Sequence, residues 1–155
     1  MSDASFTITL ANNRLEKEGI EYLRNHAAGF FYVENITRKL ILDLLLIDRK
    51  YIRAFDMVYI PRFEGETVTA ETIQARIDEI ILVEIKVTKK FLPENPKGFF
   101  FGATENEFNF GKLLGDKFRF CFVCLNSLGS SFALLTIPEL ESRIRTRRIQ
   151  YQINL

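Results

Sequence analysis

The segment Ile80 to Thr88, IILVEIKVT, constrains this fold more than any other part of the chain. Successive side chains of a strand point to opposite faces. Here both faces are largely apolar, the pattern of a strand covered on both sides. Such a strand belongs in the middle of a sheet with helices over each face, an α/β arrangement. Two residues break the pattern. Glu84 and Lys86, two positions apart, project from one face, and Val83, Ile85 and Val87 project from the other. Buried charges are costly unless they are paired or bind a metal. A second apolar run, Ala54 to Ile60 (AFDMVYI), has the same oddity: its only charge, Asp56, lies between Phe55 and Met57.

Composition narrows the function. At 155 residues one domain is expected, spanning 1–155. The net charge of +1 does not announce a nucleic-acid binder, so any basic surface must be local. With one histidine, His26, a multi-histidine metal site is excluded and a Ser-His or Cys-His triad is poorly supported. Cys121 and Cys124 lie in the alternating run FCFVCL and read as buried core thiols, because a zinc site needs more ligands than the chain has. Lack of a disulfide framework fits a reducing compartment. The amino terminus lacks the basic and apolar blocks of a signal peptide. The longest apolar stretch, Leu40 to Ile47, is too short for a bilayer and contains Asp43. A cytoplasmic protein with no membrane partner is expected. No Gly-rich phosphate loop or nucleophile elbow supports a small-molecule enzyme.

Asn12 or Asn13 is expected to cap a helix running to about Ala28, with Gly29 as its stop and an apolar stripe of Leu15, Ile20, Leu23 and Ala27. Phe30 to Asn35 reads as a short strand. Residues 38–52 fit a buried helix or a strand pair turning at Asp48-Arg49; a compact sheet favours the strands. Thr69 to Asp78 reads as a short helix or an excursion, and Phe99 to Phe101 as a short strand. Thr104 and Glu107 form a capping-box pattern opening a helix that Gly115 closes. Lys117 to Asn126 and Phe132 to Ile137 read as strands, and the tail QYQINL alternates like an edge strand.

Two carboxylates and a lysine on neighbouring strands form a recognisable chemical set. Asp56 and Glu84 can hold a divalent cation, with the backbone carbonyl of Ile85 as a further oxygen. Hard oxygen ligands suit Mg²⁺ or Mn²⁺. Such a metal acidifies a bound water and neutralises charge on a phosphodiester. Lys86 can hold or help deprotonate the attacking water, or stabilise the pentavalent phosphorus.

The set Asp56, then Glu84-Ile85-Lys86, resembles the signature of the PD-(D/E)xK phosphodiesterase superfamily, although Phe55 stands where a proline often precedes the first acid. The following segment FFFGATENEFNFGKLLGDKFRFCFVCL is similar to the branch typified by the C-terminal domain of the plant protein NO VEIN. Thr104, Asn106, Glu107 and Phe108 match one motif of that branch, and Gly115, Asp116 and Phe118 match the next; Phe stands for Trp in the first and for Tyr in the second. The resemblance covers roughly residues 54–126. It implies a restriction-endonuclease-like fold, a central mixed β-sheet flanked by α-helices. It also implies a metal-dependent endodeoxyribonuclease with Asp56, Glu84 and Lys86 as catalytic residues, acting on duplex or branched DNA.

In family members a carboxylate of the first helix often supports the metal site through water, which points to Glu18 and Glu21. Asn106, at the amino end of its helix, is placed to approach a phosphate. Lys89, Lys90, Arg143, Arg145, Arg147 and Arg148 are candidate nucleic-acid contacts; the arginines serve equally well as edge-strand protection. Cutting both strands of a duplex favours a homodimer. The competing reading is a non-catalytic nucleic-acid-binding or assembly module on the same fold.

Overall fold

A computed structural model describes the backbone from residue 3 and the side chains from residue 13 onward. Five strands form one mixed sheet whose spatial order follows the chain: β1 (Phe30–Tyr32), β2 (Met57–Tyr59), β3 (Ile81–Thr88), β4 (Phe118–Cys124) and β5 (Ser131–Leu135). The strand with two apolar faces, β3, lies at the centre. It pairs antiparallel with β2 and parallel with β4, while the β1–β2 and β4–β5 pairs are antiparallel. A parallel pair needs a crossover, and here it carries α4 (Glu105–Leu114).

Helices cover both faces. The long α1 (Asp3–His26) packs Leu23 against Phe30, Met57, Val83, Ile85, Cys121 and Val123. On the other face α2 (Asn35–Leu44), α3 (Ala70–Ala75), α4 and α5 (Ile137–Glu141) place Ile41, Leu42, Ile73, Phe110 and Leu140 over Leu82, Phe118, Phe120 and Phe122. Phe55, Phe110, Phe118, Phe120 and Phe122 are fully buried, each worth about 1.5–3 kcal/mol of burial free energy. Both cysteines are free and buried in β4, as the alternating run implied. Gly19 lets α1 approach β3 closely: a Cβ there would stand 2.5 Å from Val87 Cγ2.

The structure departs from the sequence expectations in several places. α1 begins at Asp3, ahead of Asn12 and Asn13. The side chain of Asn12 lies outside the described residues. An asparagine inside a helix costs only a few tenths of a kcal/mol, so a capping preference does not stop a helix that can propagate through it. Strand β1 ends at Tyr32, and Asn35 already starts α2. Residues 38–44 of the region read as two strands belong to that helix. Its residues are leucine-rich, and Ile41 and Leu42 meet the core on a helical face. Asp48 accepts from Lys50 N at 2.7 Å and caps a single 3-10 turn, Arg49–Tyr51, at the place expected for a hairpin turn.

Phe99 to Phe101 is not a strand. Both edges of β4 are already occupied by β3 and β5, and Phe99 and Phe101 pack their rings on Phe122 instead, at 5.0 and 4.9 Å. The tail beyond Glu141 forms no strand either, and Ile149, Tyr151 and Ile153 are exposed. Among the described residues no helix is long and apolar enough to cross a membrane.

Candidate active site

Strands β2 and β3 part where the charges lie. Their ladder ends with Met57 opposite Val83, and Asp56 N donates once more to Val83 O at 2.8 Å. Beyond that point the Asp56 side chain replaces the missing strand: Oδ2 accepts from Ile85 N at 2.9 Å. The N–H and C=O of one strand residue face the same edge. The Ile85 carbonyl is therefore turned to the edge that Asp56 closes. Glu84 projects onto the helix-rich face beside Lys86, with 7% of its surface exposed.

Three carboxyl groups converge here. Asp56 lies within hydrogen-bonding reach of both Glu84 and Glu16. Two ionised carboxylates are acceptors only, so neither can satisfy the other. Glu84 Oε2 is buried and accepts no hydrogen bond, and a proton on one carboxyl or a bound cation is what would relieve the pair. Burial, then the Asp56 charge, pushes the Glu84 carboxyl well above the usual carboxylate range, against the opposing pull of Lys86. Glu16 is pushed up to about 7, by burial first and then by the hydrogen bond and charge of Asp56; Lys86 and Arg38 act the other way.

Lys86 is held mainly from the opposite side. Its Nζ lies 2.8 and 3.2 Å from the two oxygens of Glu107 and 3.5 Å from Glu84 Oε1. Burial alone would lower its pKa, but the charges of Glu84 and Glu107 outweigh burial and hold it above its ordinary value. Glu107 is itself fixed by the capping box that the sequence shows: Oε1 accepts from Thr104 N at 3.3 Å, and Thr104 Oγ1 accepts from Glu107 N at 3.1 Å.

The remaining sequence candidates fall in different places. Glu18 pairs with Lys89 at 2.7 Å, an exposed link between α1 and the end of β3, and Glu21 is exposed. The first-helix carboxylate that reaches the site is Glu16. The sequence carries a signal for it: Glu16 stands four and seven residues before Ile20 and Leu23, on the buried stripe, and Glu18 and Glu21 stand off it. Asn106 is exposed on the first turn of α4 and lines a cleft of about 370 Å³ with Lys50, Arg53 and Glu107. Lys90, Arg143, Arg145 and Arg148 are exposed. Arg147 lies 3.9 Å from Glu141, with its guanidinium 5.3 Å above the Phe108 ring, next in sequence to Glu107. Sequence reasoning also passed over Arg38. It is half-buried on α2, donates to the carbonyls of Val33 and Ile52 at 3.0 and 3.4 Å, and acts electrostatically on Glu16.

Among the described residues no three His, Cys, Asp or Glu side chains form a metal-ligand cluster by themselves. A cation here would rest on Asp56, Glu84, the Ile85 carbonyl and water. That donor set is all hard oxygen, and Mg²⁺ characteristically keeps several waters with one or two carboxylates. The orphaned Glu84 Oε2 is the observation that fits such a ligand. No protein-family model, curated protein or solved structure matches this chain.

Proposed function

We propose that this chain is a metal-dependent endodeoxyribonuclease of the PD-(D/E)xK, restriction-endonuclease-like kind, hydrolysing DNA phosphodiester bonds with Mg²⁺ or Mn²⁺. The observation that carries the reading is the buried, unpartnered Glu84 Oε2 beside the Asp56 carboxylate, with an ammonium fixed next to it. Burying two carboxylates together is unfavourable unless a cation or protons compensate.

Asp56 and Glu84 would hold the cation, with the Ile85 carbonyl turned to the same edge. When bound, it supplies Lewis acidity that neutralises phosphate charge and acidifies water. Lys86, held above its ordinary pKa, stays an ammonium at neutral pH. Fixed 2.8 Å from Glu107, it would serve as a positive hydrogen-bond donor to the phosphorane oxygens. Glu16, beside Asp56, is the first-helix carboxylate that would support the cation through water.

A panel of plasmid and branched DNA substrates tests the reading. Wild type should cut with Mg²⁺ or Mn²⁺ and not in EDTA. Lys86→Gln should abolish cutting while DNA binding stays nearly intact, because Lys86 acts on the transition state. Equal residual cutting by both proteins would mark a contaminant. Binding without cutting on every substrate would favour the non-catalytic nucleic-acid-binding module, whose Lys86 is simply a partner for Glu107.

A further inference from the structure

We propose that Glu107 is a positioning residue: it draws Lys86 away from Glu84 and so keeps a Glu84 oxygen free for a cation. The cation part rests on the nuclease reading; the placement of Lys86 does not.

Lys86 and Glu84 project from the same face of β3, two residues apart. A buried ammonium and a buried carboxylate so placed are expected to close into a direct pair, because their attraction strengthens as distance and effective dielectric fall. They do so only loosely. Lys86 Nζ is in ion-pair range of Glu84 Oε1 at 3.5 Å, but makes its short contacts with Glu107 and leaves Glu84 Oε2 without a donor. Glu107 wins the competition because it is already ordered: it is buried, 5% exposed, and tied to the Thr104 N–H. Holding Lys86 costs it little further conformational entropy.

The charge of Glu107 is more than a helix cap requires. A capping box works with Gln as well as Glu at this position. What Glu adds is an anion facing Lys86. Without it, the nearest carboxylate left to the lysine is Glu84, with Asp56 and Glu16 beyond ion-pair distance.

The test is Glu107→Gln, which keeps the cap and removes the charge. A crystal structure of the metal-free variant should show Lys86 Nζ closer to Glu84 than in the wild type. Mn²⁺ binding, read by calorimetry or electron paramagnetic resonance, should weaken by about tenfold, the scale expected for a competing charge at an intermediate dielectric. Adding Lys86→Gln to that variant should restore Mn²⁺ binding, since the competing ammonium is gone. Thr104→Ala should lower the melting temperature by weakening the cap but leave Mn²⁺ affinity nearly unchanged. A Lys86 that stays in place in Glu107→Gln would overturn the proposal. So would equal loss of Mn²⁺ binding in Thr104→Ala and Glu107→Gln, which would mean that only the helix start matters. If wild type binds no Mn²⁺ while Lys86 still moves in the variant, the positioning role stands and the cation reading of the site falls.

Discussion

Lys86 lies closer to Glu107, 2.8 Å away on a separate helix, than to Glu84, 3.5 Å away on its own strand. The site is thus unevenly neutralised. The ammonium satisfies the helix carboxylate, and the strand carboxylate shares a buried space with Asp56 and Glu16. That imbalance makes the metal-free protein sensitive to proton concentration, to charge removal and to the packing of α1.

The pH dependence has a definite sign. Glu16 titrates at about 7 in the folded protein against an ordinary value of 4.5. The folded state therefore binds the proton more tightly than the unfolded chain. The associated stability is fully present below about pH 4.5 and is lost as pH rises through about 7. Glu84, also raised, adds a loss of the same sign above its ordinary value. For half-buried Glu16 the loss should be about 1–2 kcal/mol, less than the full shift implies, because solvent screens the group. Urea unfolding in EDTA at about pH 5 and about pH 8 should show it, and Glu16→Gln should flatten the dependence. Parallel curves for the two proteins would rule it out.

Removing charge should act oppositely on the two sides of the site. Glu84→Gln takes away a buried, repelled carboxylate and should stabilise the metal-free protein by roughly 0.5–2 kcal/mol. Lys86→Ala leaves Glu107 buried without its partner and should destabilise by about 3–5 kcal/mol. Thermal melts in EDTA measure both. Clear destabilisation by Glu84→Gln would mean that Glu84 and Lys86 are a structural pair.

The legible parts of this molecule are those in which one local pattern admits one physical solution. A strand apolar on both faces has to be central, and β3 is. Thr104 followed by Glu107 is a capping box, and it forms. Alternation in FCFVCL puts both cysteines in the core. Where two patterns compete, the sequence is silent or misleading. Leu-rich residues 38–52 bury as well in a helix as in strands, and only helix propensity separates the two. Phe99 and Phe101 have strand-like side chains, but no sheet edge is free beside Phe122. In the site, Asp56, Glu84 and Lys86 stand out because charge inside an apolar strand is anomalous. Glu16 does not, because one acid among several on an amphipathic helix is ordinary. Its position on the Ile20–Leu23 stripe is the only sign. The second partner of Lys86 is hidden because the cap already gives Glu107 a sufficient role.

Close packing of α1 on β3 brings Glu16 to the site, and Gly19 permits it. Alanine at position 19 would place its Cβ 2.5 Å from Val87 Cγ2. Val87 is β-branched and cannot swing aside readily. Alanine is favoured over glycine in a helix by about 1 kcal/mol, but the overpacking should win and give a net loss of about 1–3 kcal/mol. Val87→Ala in the same chain should recover part of that loss. Melts of both single variants and the double variant form the cycle, and strict additivity would show that the two residues do not contend for the same space.

DNA binding and turnover should separate by location. Arg147 sits over Phe108, beside Glu107, and Arg148 is exposed next to it. Neither touches the Asp56–Glu84 pair. If they hold phosphates, replacing both with Ala weakens binding equally for unrelated DNA sequences. It also reduces the slope of log affinity against log salt by about one for each phosphate no longer neutralised. The cutting rate at saturating DNA should hold, since charges that act on the ground state and the transition state alike leave kcat unchanged. Asp56→Ala should do the reverse, losing cutting while the salt slope stays as in wild type. Ca²⁺ should support binding without turnover, because its loose coordination orders water poorly. Fluorescence anisotropy across a salt series, paired with single-turnover cleavage, reads both quantities. An unchanged slope in the double arginine variant would place the DNA backbone elsewhere, with Lys50 and Arg53 at the cleft by the start of α4 as the next pair to replace.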